Sequence, residues 1–163
     1  MKLPSLTAWL LALLVAIPHM AAACEDHATP ASTPQVSEQA KPVVAVVEQF
    51  SSALKAGDLK RAGEVLADDV LILESGGAEH SRDEYLGGHA THDAAFLKDA
   101  HIQVTRRTAR VETGIAWVGT ESELHATKAG KPLTLLSTET MVLKNTSAGW
   151  RIVHIHWSSR PKR

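Results

Sequence analysis

The sequence predicts an α+β fold, and three observations carry that prediction. Apolar residues recur at helical spacing from Val43 to Leu66. From His101 onward the pattern changes to β-branched and apolar runs separated by short polar turns. The stretch Thr138–Ser159 (TETMVLKNTSAGWRIVHIHWSS) then reads as a hairpin, its arms Glu139–Lys144 and Trp150–Ser158 flanking a polar segment that ends in Gly149. Helices first and a run of antiparallel strands after them imply helices gathered on one face of a sheet.

Taken in order, the chain opens with leader character over residues 1–23. Lys2 precedes the apolar run Leu10–Ile17, and Met20-Ala21-Ala22-Ala23 places small residues before Cys24. The run is too short for a normal spanning helix, which needs about 20 residues, so export is expected. Cys24 is the only cysteine, which excludes an intramolecular disulfide. Its position after three alanines resembles a bacterial lipobox, although Ala21 stands where Leu is most usual. Lipidation at Cys24 would attach the protein to a membrane, with Glu25 not retaining it at the inner one; ordinary cleavage near the alanines is the alternative. Residues 24–40 (Pro-, Ala-, Ser- and Thr-rich) read as a flexible tether and residues 41–163 as the folded domain.

Within the domain, Val43, Val46, Val47, Phe50 and Leu54 form one apolar stripe of a helix that Gly57 ends. Asp58 caps a second, short helix carrying Leu59, Ala62, Val65 and Leu66, which Asp68-Asp69 should break. Val70–Leu73 is a compact strand. Ser81 and Glu84 have capping-box form, so a helix follows, interrupted at Gly87-Gly88 and resumed through Asp93–Lys98. Strands are expected over Ile102–Val111, Ile115–His125 and Leu133–Lys144, before the final arm. Strict alternation in that arm puts Trp150, Ile152, His154, His156 and Ser158 on one face and Arg151, Val153, Ile155, Trp157 and Ser159 on the other.

The pattern Glu139-Thr140-x-Val142, a turn, Trp150 and Val153-His154-x-His156-x-Ser158 resembles the last two strands of the nuclear transport factor 2-like superfamily. It is most similar to the SnoaL-like branch and to the association domain of calcium/calmodulin-dependent protein kinase. The resemblance extends upstream to about Val43, through the helix, the Ala56-Gly57-Asp58 turn and the second helix. It implies a strongly curved antiparallel sheet forming a cone, with the N-terminal helices packed on its concave face and an open end that admits a ligand. It says little about activity, because the superfamily includes isomerases, dehydratases, cyclases and oligomerisation modules. With such a sheet, Val153, Ile155 and Trp157 would make an apolar back suited to a homodimer.

The 17 Lys and Arg against 18 Asp and Glu leave no basic field for nucleic acid. No HExxH, GxSxG, phosphate-loop or GxGxxG motif occurs, and no cofactor is called for. Histidine stands out, with nine in the chain. His154 and His156, with Glu139 on the facing arm, are the candidate acid–base residues, since a His–carboxylate pair titrates near neutral pH. The same groups can instead form a buried hydrogen-bonded network. A ligand pocket is expected from Phe50, Tyr85, His89, Phe96, Trp117 and Trp150, with Leu73 and Leu135 as further apolar lining. His89 and His92, three apart, with His156 form a candidate metal set. Arg106, Arg107 and Arg110 read as a solvated strand face, with a cation placed in the pocket for an anionic ligand as the alternative. The expected function is binding of a small, partly apolar molecule, with proton-transfer or hydrolytic chemistry open. A His-based metal-binding accessory protein and a dimerisation module are the alternatives.

Overall fold

The computed structural model describes residues 36–163. The leader, Cys24 and most of the tether lie outside them. Ordered packing begins before residue 41: Val36 packs against the core, and Ala40, in a 3-10 turn over Glu38–Ala40, is fully buried.

Helix α1 (Lys41–Ala56) buries Val43, Val44, Val47, Phe50, Ala53 and Leu54 on one side. It stops where Gly57 adopts a left-handed conformation at φ 73°, which costs glycine no side-chain clash. The Asp58 carboxylate accepts from the Arg61 amide and starts α2 (Leu59–Gly63). Asp68-Asp69 does not break this helix. The chain has already left it at Gly63, and both aspartates belong to strand β1 (Leu66–Glu74).

A tight turn at Ser75-Gly76, with positive φ at both residues, joins β1 to the short β2 (Gly77–Glu79). The Ser81 hydroxyl accepts from the Glu84 amide to cap α3 (Arg82–Gly87). The Glu84 carboxylate in turn accepts from the His80 amide. After Gly88 the chain turns directly into α4 (His89–Leu97), four residues earlier than the sequence suggests.

Strands β3 (His101–Glu112), β4 (Ile115–Lys128), β5 (Lys131–Thr146) and β6 (Gly149–Pro161) follow as an antiparallel meander. Sheet order is β2-β1-β6-β5-β4-β3, and β1 joins β6 in parallel. The sheet is curled but not closed, and the helices pack on its concave face. The core lies between them, where Phe50, Leu54, Tyr85, Val118, Met141, Leu143, Ile152 and Ile155 are buried.

Two bulges decide which side chains reach that core. In β6, Leu143 pairs with Ile152 but Val142 pairs with His154, so Val153 has no partner in the ladder. Alternation restarts one residue late. Ile155 and Trp157 therefore join Ile152 on the concave side, while His154 and His156 take the convex side. The strict alternation read from sequence is corrected from Val153 onward, and with it the apolar back: only Val153 of its three residues stays out of the concave core. In β3, Val104 pairs with Ser122 and Arg106 with Glu121, leaving Thr105 over. The Thr105 hydroxyl donates to the Glu121 carbonyl at 3.0 Å, and Arg107 rather than Arg106 turns inward.

Candidate functional site

Between α1, α4 and the concave face lies a cavity of about 200 Å³. Phe50, Leu54, Phe96, Leu97, Ile102 and Leu124 supply much of its apolar wall. One ladder row crosses its floor. Glu74 is level with Trp157, Trp157 with Glu139, Glu139 with Thr120, and Thr120 with Arg107, and all five line the cavity.

Glu139 sits in the middle of that row, half-buried. Its Oε2 accepts from the Trp157 indole Nε1 at 2.8 Å. Thr120 is a further hydrogen-bonding neighbour, and Arg107 is close enough to act on it electrostatically. Burial nevertheless dominates and raises the Glu139 carboxyl above the usual glutamate range. The Arg107 Nε donates to Thr120 Oγ1 at 3.3 Å and its Nη1 to Glu48 at 2.7 Å, which fixes the cation against the wall. The Trp157 ring stacks on Phe50 at 6.3 Å and lies 6.1 Å from Tyr85, so an aromatic cluster holds the indole that holds Glu139.

A second polar group occupies the rim where α4 meets β1 and β2. The Tyr85 hydroxyl donates to Asp93 Oδ2 at 2.9 Å. The His89 Nδ1–H donates to Glu79 Oε1 at 2.9 Å, and its Nε2 lies 4.0 Å from Asp93 Oδ1. Burial, followed by mutual repulsion, raises Glu74; burial also raises Asp93. The hydrogen bond to Glu79 raises His89. Tyr85 is raised too, by burial first and then by the Asp93 charge.

Of the expected catalytic residues, only Glu139 reaches the cavity. His154 is opposite Val142 and donates from Nδ1 to the Leu71 carbonyl at 2.9 Å; His156 is exposed opposite Thr140. Both face away from Glu139 because of the bulge at Val153. Of the expected pocket residues, Phe50 and Phe96 line the cavity. Tyr85 is sealed beneath it, behind Phe50, Trp157 and Asp93 of its lining. His89 stands at the rim. Trp150 packs on the core beyond the cavity. Trp117 is on the convex face with 40% of its surface exposed, since its neighbours Ala116 and Val118 point inward and are buried. Leu135 lines the cavity and Leu73, with its side chain on the convex face, does not.

The expected metal set is not assembled either. His89 and His92 are neighbours, with ring centroids 6.5 Å apart, but His156 lies on the other side of the sheet. The residues that sequence reasoning passed over are Asp93, Trp157 and Thr120; Arg107 takes the pocket position that was the alternative to a solvated strand face. Asp93 had a readable signal, since it follows His89 by four positions on one helix face.

A family model described as SnoaL-like domain matches residues 43–161. No curated protein matches the chain in sequence. Among solved structures, a ketosteroid isomerase candidate from Shewanella frigidimarina is 32% identical. That match covers 70% of this chain and 92% of the other, with TM-score 0.65. A candidate calcium/calmodulin-dependent protein kinase II association domain from Xanthomonas campestris is 19% identical over 81% of this chain and 95% of its own, with TM-score 0.66. A dehydratase candidate of the nuclear transport factor 2-like family from Streptomyces avermitilis is 18% identical over 74% and 95%, with TM-score 0.62. The last two likenesses speak for the fold.

Proposed function

The chain belongs to the SnoaL-like family of the nuclear transport factor 2-like superfamily, and on that premise we propose that its cavity binds a small, partly apolar carbonyl compound on which Glu139 moves a proton. The observation that carries this reading is Glu139 itself, a carboxyl set in the floor of a largely apolar cavity, oriented by Trp157 and raised by burial. A general base works best when its pKa approaches the operating pH, and burial tunes a glutamate in that direction. The ionised carboxylate takes a proton from the carbon beside the carbonyl, and the electron pair moves onto the carbonyl oxygen. Arg107, the one cation among the described residues lining the cavity, offsets the developing oxyanion. Returning the proton to a different carbon completes an isomerisation; expelling a β-hydroxyl, which takes a proton and leaves as water, completes a dehydration. The ketosteroid isomerase candidate among the similar structures supports this class. A volume of about 200 Å³ is below the roughly 300–1,000 Å³ of drug-sized sites, which favours a single-ring or short-chain ligand.

The test is proton exchange. A panel of small cyclic ketones, enones and β-hydroxy ketones is incubated with the protein in deuterated water and followed by NMR. Exchange beside the carbonyl is expected, and Glu139→Gln should slow it about 10²- to 10⁴-fold without abolishing binding. Ligands that bind and never exchange would reduce the cavity to a binding site. No binding across the panel would reject the reading.

The remaining expectations stand as parts of the same proposal. We take residues 1–23 as an export leader, residues 24–40 as a tether that is packed from about Val36, Cys24 as the lipidated residue of a periplasmic protein, and the active form as a homodimer. For the dimer, a second copy would cover the convex patch around Trp117 and Val142, in place of the apolar back expected from sequence.

A further inference from the structure

The rim cluster carries a separate assignment. We propose that Glu74, His89 and Asp93 bind one divalent transition-metal ion at the edge of the cavity. The three residues each offer one ligand atom, all within 4.8 Å of one another. They come from two elements: Glu74 from the end of β1, His89 and Asp93 from successive turns of α4.

Each helical ligand already has the outer partner that a metal site needs. A histidine that binds metal through one ring nitrogen donates from the other to a carboxylate or carbonyl, which sets its tautomer and orientation. Here Glu79 accepts from the His89 Nδ1–H at 2.9 Å, leaving Nε2 with its lone pair toward Asp93. The Tyr85 hydroxyl occupies Asp93 Oδ2 and leaves Oδ1 for an ion. Ligand atoms about 2.1 Å from a tetrahedral ion stand about 3.4 Å apart, so the 4.0 Å between His89 Nε2 and Asp93 Oδ1 needs to close by only about half an ångström.

A second, independent observation is the charge and bonding deficit around the cluster. Glu79 Oε2 is buried and has no hydrogen-bond partner, and an orphaned carboxylate oxygen is costly to bury. Three carboxylates, Glu74, Glu79 and Asp93, converge on one imidazole. A cation offsets what a single histidine cannot. The donor set narrows the ion. An imidazole with carboxylates suits zinc, manganese, iron or cobalt in the divalent state, and the lack of thiolate or thioether ligands disfavours monovalent copper. Three protein ligands leave at least one position open, and Glu74 and Asp93 both line the cavity, so that position can be reached by a ligand oxygen. This assignment goes beyond the proton-transfer reading and does not depend on it.

The full chain, stripped with chelator, is titrated with zinc by calorimetry, and with divalent cobalt while its visible absorption is recorded. One ion per chain is expected, with cobalt bands of low-symmetry nitrogen–oxygen ligation. His89→Gln and Asp93→Asn should each weaken binding at least 100-fold. Glu79→Ala, which removes the outer partner, should weaken it 10- to 100-fold. His125→Gln, in the separate His101–His125 pair, and Glu139→Gln should each leave one ion bound, so that a failure at Glu139 and a failure here are told apart. His89 is 41% exposed, so its substitution spares the core. Substoichiometric binding, or one ion held equally well by His89→Gln and Asp93→Asn, overturns the site.

Discussion

Glu139 combines two opposing influences, and their balance decides what the residue does. Trp157, Thr120 and Arg107 favour the carboxylate, while burial favours the acid and outweighs them. Because the folded-state pKa lies above the unfolded value, the folded protein holds the extra proton between the two. Stability is therefore full below the unfolded pKa and declines as pH rises through the folded one. Glutamine keeps an oxygen to accept from the Trp157 indole and carries no charge. Glu139→Gln should thus melt a few degrees higher than the parent at pH 8, with the difference vanishing near pH 4, as thermal melts across that range would read. A variant that is less stable at every pH would mean that the carboxylate is a net structural asset. The same residue illustrates the limit of spacing as a guide. Its pairing with His154 and His156 is sound arithmetic for an unbroken strand and fails only because the strand is broken.

At the scale of the element, the bulge at Val153 is the feature that makes the site. It sends Ile155 and Trp157 inward and His154 and His156 outward. Trp157 then bonds Glu139 and completes the aromatic cluster with Phe50 and Tyr85. Deleting Val153 removes the extra residue and lets the ladder run regularly, with Ile152, Ile155 and Trp157 still inward and His154 and His156 still outward. The deletion should therefore cost far less by urea unfolding than Trp157→Ala, which removes a member of the aromatic cluster and should cost about 3 kcal/mol. A deletion that costs as much as Trp157→Ala and shifts tryptophan emission would show that the strand beyond Val153 has changed faces. Residues 75 and 76 play a comparable part on a smaller scale. Their tight turn folds β2 back beside β1, pairing Glu79 with Ile72 and setting it beside His89.

At the scale of the whole molecule, concave and convex faces have divided the labour. The concave face holds the core, the cavity and its carboxyl groups. The convex face leaves Trp117 and Ile115 exposed at 40% and 48%, with the imidazoles of His154 and His156 nearby in the ladder. If two copies meet there, Trp117→Asp should convert a dimer to a monomer by light scattering, while ligand binding in the cavity changes less than about threefold. A parent that is already monomeric at high micromolar concentration would remove the dimer from the proposal.

What the sequence by itself determined is the order and type of the elements. The α1 stripe, the Gly57 stop, the Ser81 cap and the four long strands are local matters of periodicity, backbone freedom and side chain-to-backbone bonding, and each reads correctly within a few residues. The tertiary structure decided which faces those strands present. A bulge adds one residue to one strand because its partner's register, the curvature of the sheet and the packing of α1 demand it, and no single-strand pattern records that demand. Every side chain beyond it changes sides. That is why Glu139 could be nominated from sequence and Arg107 only as an alternative, while Trp157 and Asp93 became visible only once β6 and α4 were packed around the same cavity.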